Sequence, residues 1–158
     1  MRTVRLAVVA VAALVSGAIA FGYAELNAGP APGVKWGPAP SFLPKGARIA
    51  VLAGDPSQPG EFTIRLQFPA GYRIKPHFHP TDEHVTVLSG RFLVGMGDTL
   101  SRRQTMALGP NGFITAPAQA HHFAIAAQRT IVQVNGEGPF AITYVNPSDD
   151  PRNASGSK

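Results

Sequence analysis

The chain has no cysteine among its 158 residues. Disulfides, thiolate metal sites and cysteine nucleophiles are thereby excluded. Charge is also scarce: Asp, Glu, Lys and Arg make up 15% of the sequence, against about 25% in ordinary domains. The basic residues are scattered, Arg102-Arg103 being the only doublet, and no basic run is interleaved with aromatics. Nucleic acid is therefore not an expected partner. Beyond the first two dozen residues no stretch carries a helical period. Turn formers are plentiful instead, with 15 prolines and 17 glycines, nearly twice the usual share of roughly 12%. Few charges, many turn residues and short apolar runs point to an all-β chain with room for one cored domain.

The N-terminus reads as an export signal. Arg2 and Arg5 form a positive head and Leu6 to Ile19 is an apolar run without a charge. Small residues around Ala18 and Ala20 offer a cleavage site. Residues 1–20 are the expected signal peptide, with cleavage after Ala24 as a second option. The run is shorter than the about 20 residues a spanning helix needs, so no stable membrane anchor is expected after cleavage. The expected destination is the periplasm or the exterior. Loss of Arg2 and Arg5 takes the net charge from +5 to near +3. Residues 21–47 form a Pro/Gly-rich arm without periodicity, in which Trp36, Phe42 and Leu43 are expected to pack on the barrel or on a partner subunit. Residues 147–158 are a polar tail.

Residues 48–146 read as nine or ten short strands. Glu61 to Phe68 alternates strictly, with Phe62, Ile64, Leu66 and Phe68 on one face and Thr63, Arg65 and Gln67 on the other. That is the two-residue period of a half-buried antiparallel strand. Arg48 to Ala53, Val85 to Leu88, Arg91 to Gly95, Phe113 to Ala116, His121 to Ala127, Thr130 to Asn135 and Phe140 to Val145 are further strands. Ser89-Gly90 is a two-residue hairpin signal between two of them, and Met96 and Met106 read as packing. So many short strands suggest a sandwich or a closed double-sheet jelly roll.

One stretch carries chemistry. Between Gly71 and Gly90 the chain holds His77, His79 and Glu83 within seven residues, and Pro117 to His122 adds two histidines, His121 and His122, as a source of a fourth ligand. Residues i and i+2 of a strand share a face, so His77 and His79 aim two imidazoles at one point while Phe78 faces away. A Pro80-Thr81-Asp82 turn returns Glu83 toward them. Two imidazoles and a carboxylate suit a divalent ion. His84 and His121, each beside a candidate ligand, face the other way by the same parity.

The spacing resembles the first signature of the cupin superfamily: Gly71, five residues, His77-x-His79, three residues, Glu83, six residues, Gly90. The second signature matches in part. Pro117 and His122 are correctly spaced, but Gln119 stands where Gly is expected and Ala126 where Asn is expected, and Gly112 is one residue too close to the proline. The resemblance implies a double-stranded β-helix, or jelly-roll barrel, with His77, His79, Glu83 and His122 as metal ligands. His121 is the alternative fourth ligand, and His84, Tyr144 and Gln133 are candidate supporting groups. Gly71, Gly90 and Pro117 are the structural positions of the motif.

The implied cofactor is one divalent metal, Fe(II) or Mn(II) in preference to Zn, Ni or Co. If His122 faces inward, Ala124 and Ala126 do too and leave room beside the metal. Val85, Val87, Phe92, Val94, Phe113 and Tyr144 are the other expected lining residues. No inward Arg or Lys is apparent to clamp a phosphate or carboxylate. The resemblance therefore implies a metal-dependent enzyme, a dioxygenase or related oxidoreductase, acting on a small, largely apolar or aromatic compound. A zinc-bound ligand-binding or sensing module without turnover is the alternative. A homodimer is a possible assembly, and no catalytic residue beyond the ligands is assigned.

Overall fold

A computed structural model of the protein describes residues 33–153. The signal peptide, both of its cleavage options, the first part of the arm and the last five residues of the tail lie outside the described residues.

Among the described residues, eleven strands divide between two antiparallel sheets. In chain order they are β1 (Gly37–Pro38), β2 (Arg48–Ala53), β3 (Gly60–Phe68), β4 (Arg73–Phe78), β5 (Glu83–Ser89), β6 (Phe92–Met96), β7 (Met106–Leu108), β8 (Phe113–Ala116), β9 (His122–Ala126), β10 (Thr130–Gly138) and β11 (Thr143–Tyr144). The first sheet runs β1-β2-β3-β10-β5-β8 and the second β11-β4-β9-β6-β7. The inner faces of the two sheets form the core, as a jelly roll requires.

The alternation of β3 is realised residue by residue. Phe62, Ile64, Leu66 and Phe68 are buried, with Thr63, Arg65 and Gln67 half-buried between them. Burying each such apolar side chain stabilises the fold by roughly 1.5–3 kcal/mol. Phe68 stacks on Tyr72 and Phe92, with ring centroids at 4.9 and 5.8 Å, and so joins the first sheet to the second. Strand β10 pairs with β3 along nine residues and with β5 on its other side, which makes it the central strand of its sheet.

Four expectations need correction. Ser89-Gly90 does not close a hairpin, because β5 and β6 belong to different sheets and the dipeptide is the corner between them. Gly90 has φ +87°, and a Cβ there would lie 2.3 Å from the Arg129 carbonyl oxygen. The polar stretch after Asp98 leads through a short 3-10 turn at Arg102–Gln104 into β7, an edge strand that the sequence reading lacked. Met106 on that edge and Met96 at the end of β6 are 62% and 55% exposed, so neither packs in the core. Phe113 pairs with Thr86 on the outer face and is exposed, while Ile114, opposite Val85, takes the inward position.

The arm packs on its own barrel. Gly37–Pro38 adds to the edge of β2, Leu43 and Ala47 are buried in the core, and Phe42 packs against it. Trp36 is half-buried and its carbonyl accepts a hydrogen bond from Arg48.

Candidate metal centre

Strands β4 and β9 of the second sheet bring the histidines together. His77 and His122 are opposite each other in the ladder, with ring centroids 4.2 Å apart. His79, one residue beyond β4, places its ring 5.1 Å from that of His77 and 5.2 Å from that of His122. One nitrogen from each of the three lies within 4.8 Å of the others, and all three residues are at most 3% exposed.

A bulge in β4 sets this aim. Between Ile74 and His77 the strand carries one residue more than β9 opposite. Pro76 falls there and has no N–H to give to a ladder. The Lys75 carbonyl is thereby free to accept from His77 Nδ1 at 2.6 Å. The other two rings are held in the same way: His79 Nδ1 donates to Ala141 O at 2.7 Å and His122 Nδ1 to Ala120 O at 2.9 Å. Each backbone acceptor fixes the proton on Nδ1 and leaves the Nε2 lone pair for the interior, the second-sphere arrangement of a metal-binding histidine. His79 Nε2 is buried without a hydrogen-bond partner. Leaving such a group unpaired costs about 1–3 kcal/mol, and a metal ion at that point removes the cost.

Glu83, the first residue of β5, faces the cluster from the other sheet. Its Oε2 is 3.4 Å from His79 Nε2 and 3.7 Å from His122 Nε2. Burial raises the Glu83 carboxyl, but the His79 and His122 imidazoles more than reverse this and hold it well below the usual carboxylate range. Burial pushes His77 down to about 3, and the neighbouring His122 and His79 push the same way. Burial also lowers His79, yet the Glu83 charge and the Ala141 carbonyl outweigh it and leave His79 raised. Glu83 is thus held as a carboxylate and His77 as a neutral imidazole, two of the donors a divalent ion requires. Three histidines able to hold a metal ion are in place.

The two loops that carry the motif are stitched together. Asp82 accepts from the Ala118 N–H at 2.7 Å, and the Gln119 N–H donates to the His79 carbonyl at 2.9 Å. Gln119 occupies the position where the cupin pattern has Gly, and its φ is +62°. The pattern is kept in conformation though not in residue, and the Gln119 side chain adds a second bond to the His79 carbonyl at 3.3 Å.

The remaining candidates stay out of the cluster. His121 turns outward, pairs with Asp98 at 2.6 Å and stacks on Phe78, so it is no fourth ligand. His84 also faces out, against Thr115 and Phe113. The Tyr144 ring lies 6.0 Å from His77, but its hydroxyl donates to the Phe42 carbonyl at 2.7 Å. Gln133 accepts from Arg65 on the outer face. Neither of these two hydrogen-bonds to the cluster.

Next to the cluster lies a cavity of about 30 Å³, room for roughly two water molecules. Its walls are apolar apart from the histidines and Glu83, with Val85, Val94, Ile114 and Ala124 among them and no Lys or Arg. Sequence reasoning missed three contributors: the carbonyls that orient the rings, Phe140 stacked on His79 at 5.6 Å, and Leu43 in the wall. The carbonyls carry no side-chain signal. Leu43 and Phe140 are ordinary apolar residues far from the motif.

The family model of the ChrR cupin-like domain matches residues 32–141, and the chain belongs to that family. No protein of curated function matches in sequence. Among solved structures, the fold is similar to the polyketide cyclase RemF of Streptomyces resistomycificus, at 20% identity over 80% of this chain and 90% of the other, with a TM-score of 0.64. A candidate acetylacetone dioxygenase of Methylibium petroleiphilum is 22% identical over 75% of this chain and 79% of its own, with a TM-score of 0.57. The DMSP lyase DddQ of Ruegeria pomeroyi is 20% identical over 72% of this chain and 62% of its own, also at 0.57. At these identities the likeness is one of fold.

Proposed function

We propose, from the place of the chain in the ChrR cupin-like family, that it is a metal-dependent enzyme, an oxidoreductase of dioxygenase type acting on a small, largely apolar compound. The observation that carries this reading is the set of three Nε2 atoms turned to one point, with each Nδ1 tied to a backbone carbonyl. In this reading His77, His79 and His122 hold the ion, and Glu83 joins them as the fourth ligand from the facing sheet. The donor set suits Fe(II) or Mn(II) first and accepts Zn, Ni or Co. Such an ion supplies a Lewis-acid or redox centre with positions open to a reactant.

The chain's own residues do the rest. Three carbonyls keep the rings from turning, and Glu83 offsets the charge of the ion. The apolar walls exclude bulk water and offer no cation to a phosphate or carboxylate substrate. The cavity of about 30 Å³ narrows the expectation of an apolar or aromatic compound to the smaller of the two. Work outside the cytoplasm is part of the proposal and rests on the N-terminal sequence alone.

The tightness of that cavity favours a second reading, a zinc-bound binding or sensing module without turnover. Oxygen consumption separates the two. Iron-loaded protein is expected to consume dioxygen with at least one of a panel of small ketones and enolisable compounds, and zinc-loaded protein to be inert. Tight retention of zinc with no turnover by the iron form against the whole panel would replace the enzyme reading by the second one.

A further inference from the structure

We propose that Leu43 is the size gauge of the metal cavity: it seats in the wall as a fixed stopper and admits to the metal only ligands, or leading ends of ligands, of about two or three non-hydrogen atoms. This deepens the metal-site reading above and rests on it.

The argument begins with how Leu43 is held. It belongs to an arm that carries prolines at positions 38, 40 and 44, each of which fixes its own φ. Its backbone N–H donates to the Pro40 carbonyl at 3.0 Å. The carbonyls on either side of it are taken by two buried tyrosines. Tyr144 of β11 donates to Phe42 O at 2.7 Å, and Tyr72, just before β4, donates to Pro44 O at 2.5 Å. Burial is the main cause that pushes both phenols above their ordinary range, so both stay protonated donors. The arm is anchored to the first sheet by Gly37–Pro38 on β2 and to the second by these two hydroxyls, and it spans the seam between them. Its neighbour Phe42 meets Phe140 edge to face at 5.5 Å, and Phe140 stacks on the His79 ring.

The result is a side chain 4% exposed that shares one cavity with His77, His79, Glu83 and His122. Ala116 and Ala124 are the small residues of the lining. Leu43 is the one lining residue that the arm contributes, and its bulk adds to that of the larger strand residues in holding the space at about 30 Å³. Close-packed interiors do not yield to such bulk without cost. A pocket wall discriminates by size through the atoms it forces a ligand to displace.

The test compares wild type with Leu43→Ala and Leu43→Val by two readouts. In cobalt-substituted protein, azide is expected to perturb the visible spectrum of all three. Imidazole is expected to bind Leu43→Ala at least tenfold more tightly than wild type, with Leu43→Val between them. Equal imidazole affinity in wild type and Leu43→Ala would overturn the gauge. The second readout needs no metal: benzene is expected to raise the thermal midpoint of metal-free Leu43→Ala and not that of wild type. Failure of all three proteins to bind cobalt would strike the metal reading alone, and the benzene result would then decide the gauge. Benzene stabilising both proteins equally, or neither, would overturn it. If Leu43→Ala does not fold, Leu43→Val carries both comparisons.

Discussion

The inner and outer faces of the same strands treat histidine in opposite ways. His122 and His121 are neighbours in sequence. His122 is buried, its Nδ1 tied to the Ala120 carbonyl and its Nε2 turned to the cluster. His121 stands half in solvent, paired with Asp98 and stacked on Phe78. Glu83 and His84 divide in the same way, one facing His79 and His122 and the other facing Thr115. Between His121 and His122 the residue type is shared and the role is not. Strand parity decides which imidazole loses its water, and only a desolvated imidazole with its Nδ1 proton fixed offers a ready lone pair.

The strongest way to break this comparison is to remove histidines from each face in turn. His77→Ala and His79→Ala are each expected to lose most of the bound metal while the barrel still melts cooperatively, since β3, β5 and β10 hold the core. His84→Ala and His121→Ala are expected to keep wild-type metal content. Loss of metal from the outer pair, or retention in the inner pair, would show that parity does not assign the roles.

The barrel that imposes this parity has its own weak point at the corner between the sheets. Gly90→Ala places a Cβ against the Arg129 carbonyl at a φ that favours glycine. It is expected to cost ~2 kcal/mol or more, read by denaturant titration of the metal-free protein. A loss under 0.5 kcal/mol, on the order of an ordinary surface change, would contradict the account of the corner.

Acid sharpens the contrast. In the metal-free protein His77 is held down to about 3 from its ordinary 6.5. The unfolded chain therefore takes a proton that the folded chain refuses. The stability due to His77 is full above pH 6.5 and lost as pH falls toward 3. Glu83, also held down, contributes fully above its ordinary 4.5 and loses that contribution as pH falls further. His79 is raised and works the other way, its contribution full below 6.5 and lost as pH climbs through its raised value. The balance of the three is a fold that weakens on acidification. Bound metal should leave as the medium falls toward or below about pH 6, because ligand imidazoles must be neutral. Replacement of His121, outside the cluster, should leave the metal-release profile unmoved.

The smallest effect concerns the departure at Gln119. Gln119→Gly relieves a left-handed residue but gives up the side-chain bond to the His79 carbonyl. The two nearly cancel, and a net change within about 0.5–1 kcal/mol is expected. A larger loss would mean that the Gln119 amide, more than its backbone, holds the first loop to the second.

Much of this was legible in the sequence, and the reasons are physical. The alternation from Phe62 to Phe68 has one reading, because a slip of one residue would turn four apolar side chains to solvent. His77-x-His79 is likewise fixed by the pleat. What failed was information that the local pattern does not hold. Ser89-Gly90 marks a reversal but says nothing about which sheet receives the next strand. Phe113 follows the Gly109-Pro110-Asn111-Gly112 loop, so no parity could be carried across to it from β7. Met96 and Met106 look like core residues until the edge position of β7 leaves them in solvent. Leu43 is expected to pack on the barrel and does, but its place in the cavity wall was not legible. Its burial depends on two tyrosine hydroxyls that bind carbonyls, and carbonyls are the same at every residue.

The central claim is that the inner face holds a metal ion, and elemental analysis of the purified protein beside a Glu83→Ala control tests it most directly. The account predicts about one divalent ion per chain, most of it lost from the control. A protein that takes up no ion from any divalent metal offered, while folded by its melting curve, would contradict it and leave an apolar barrel with three buried imidazoles unexplained.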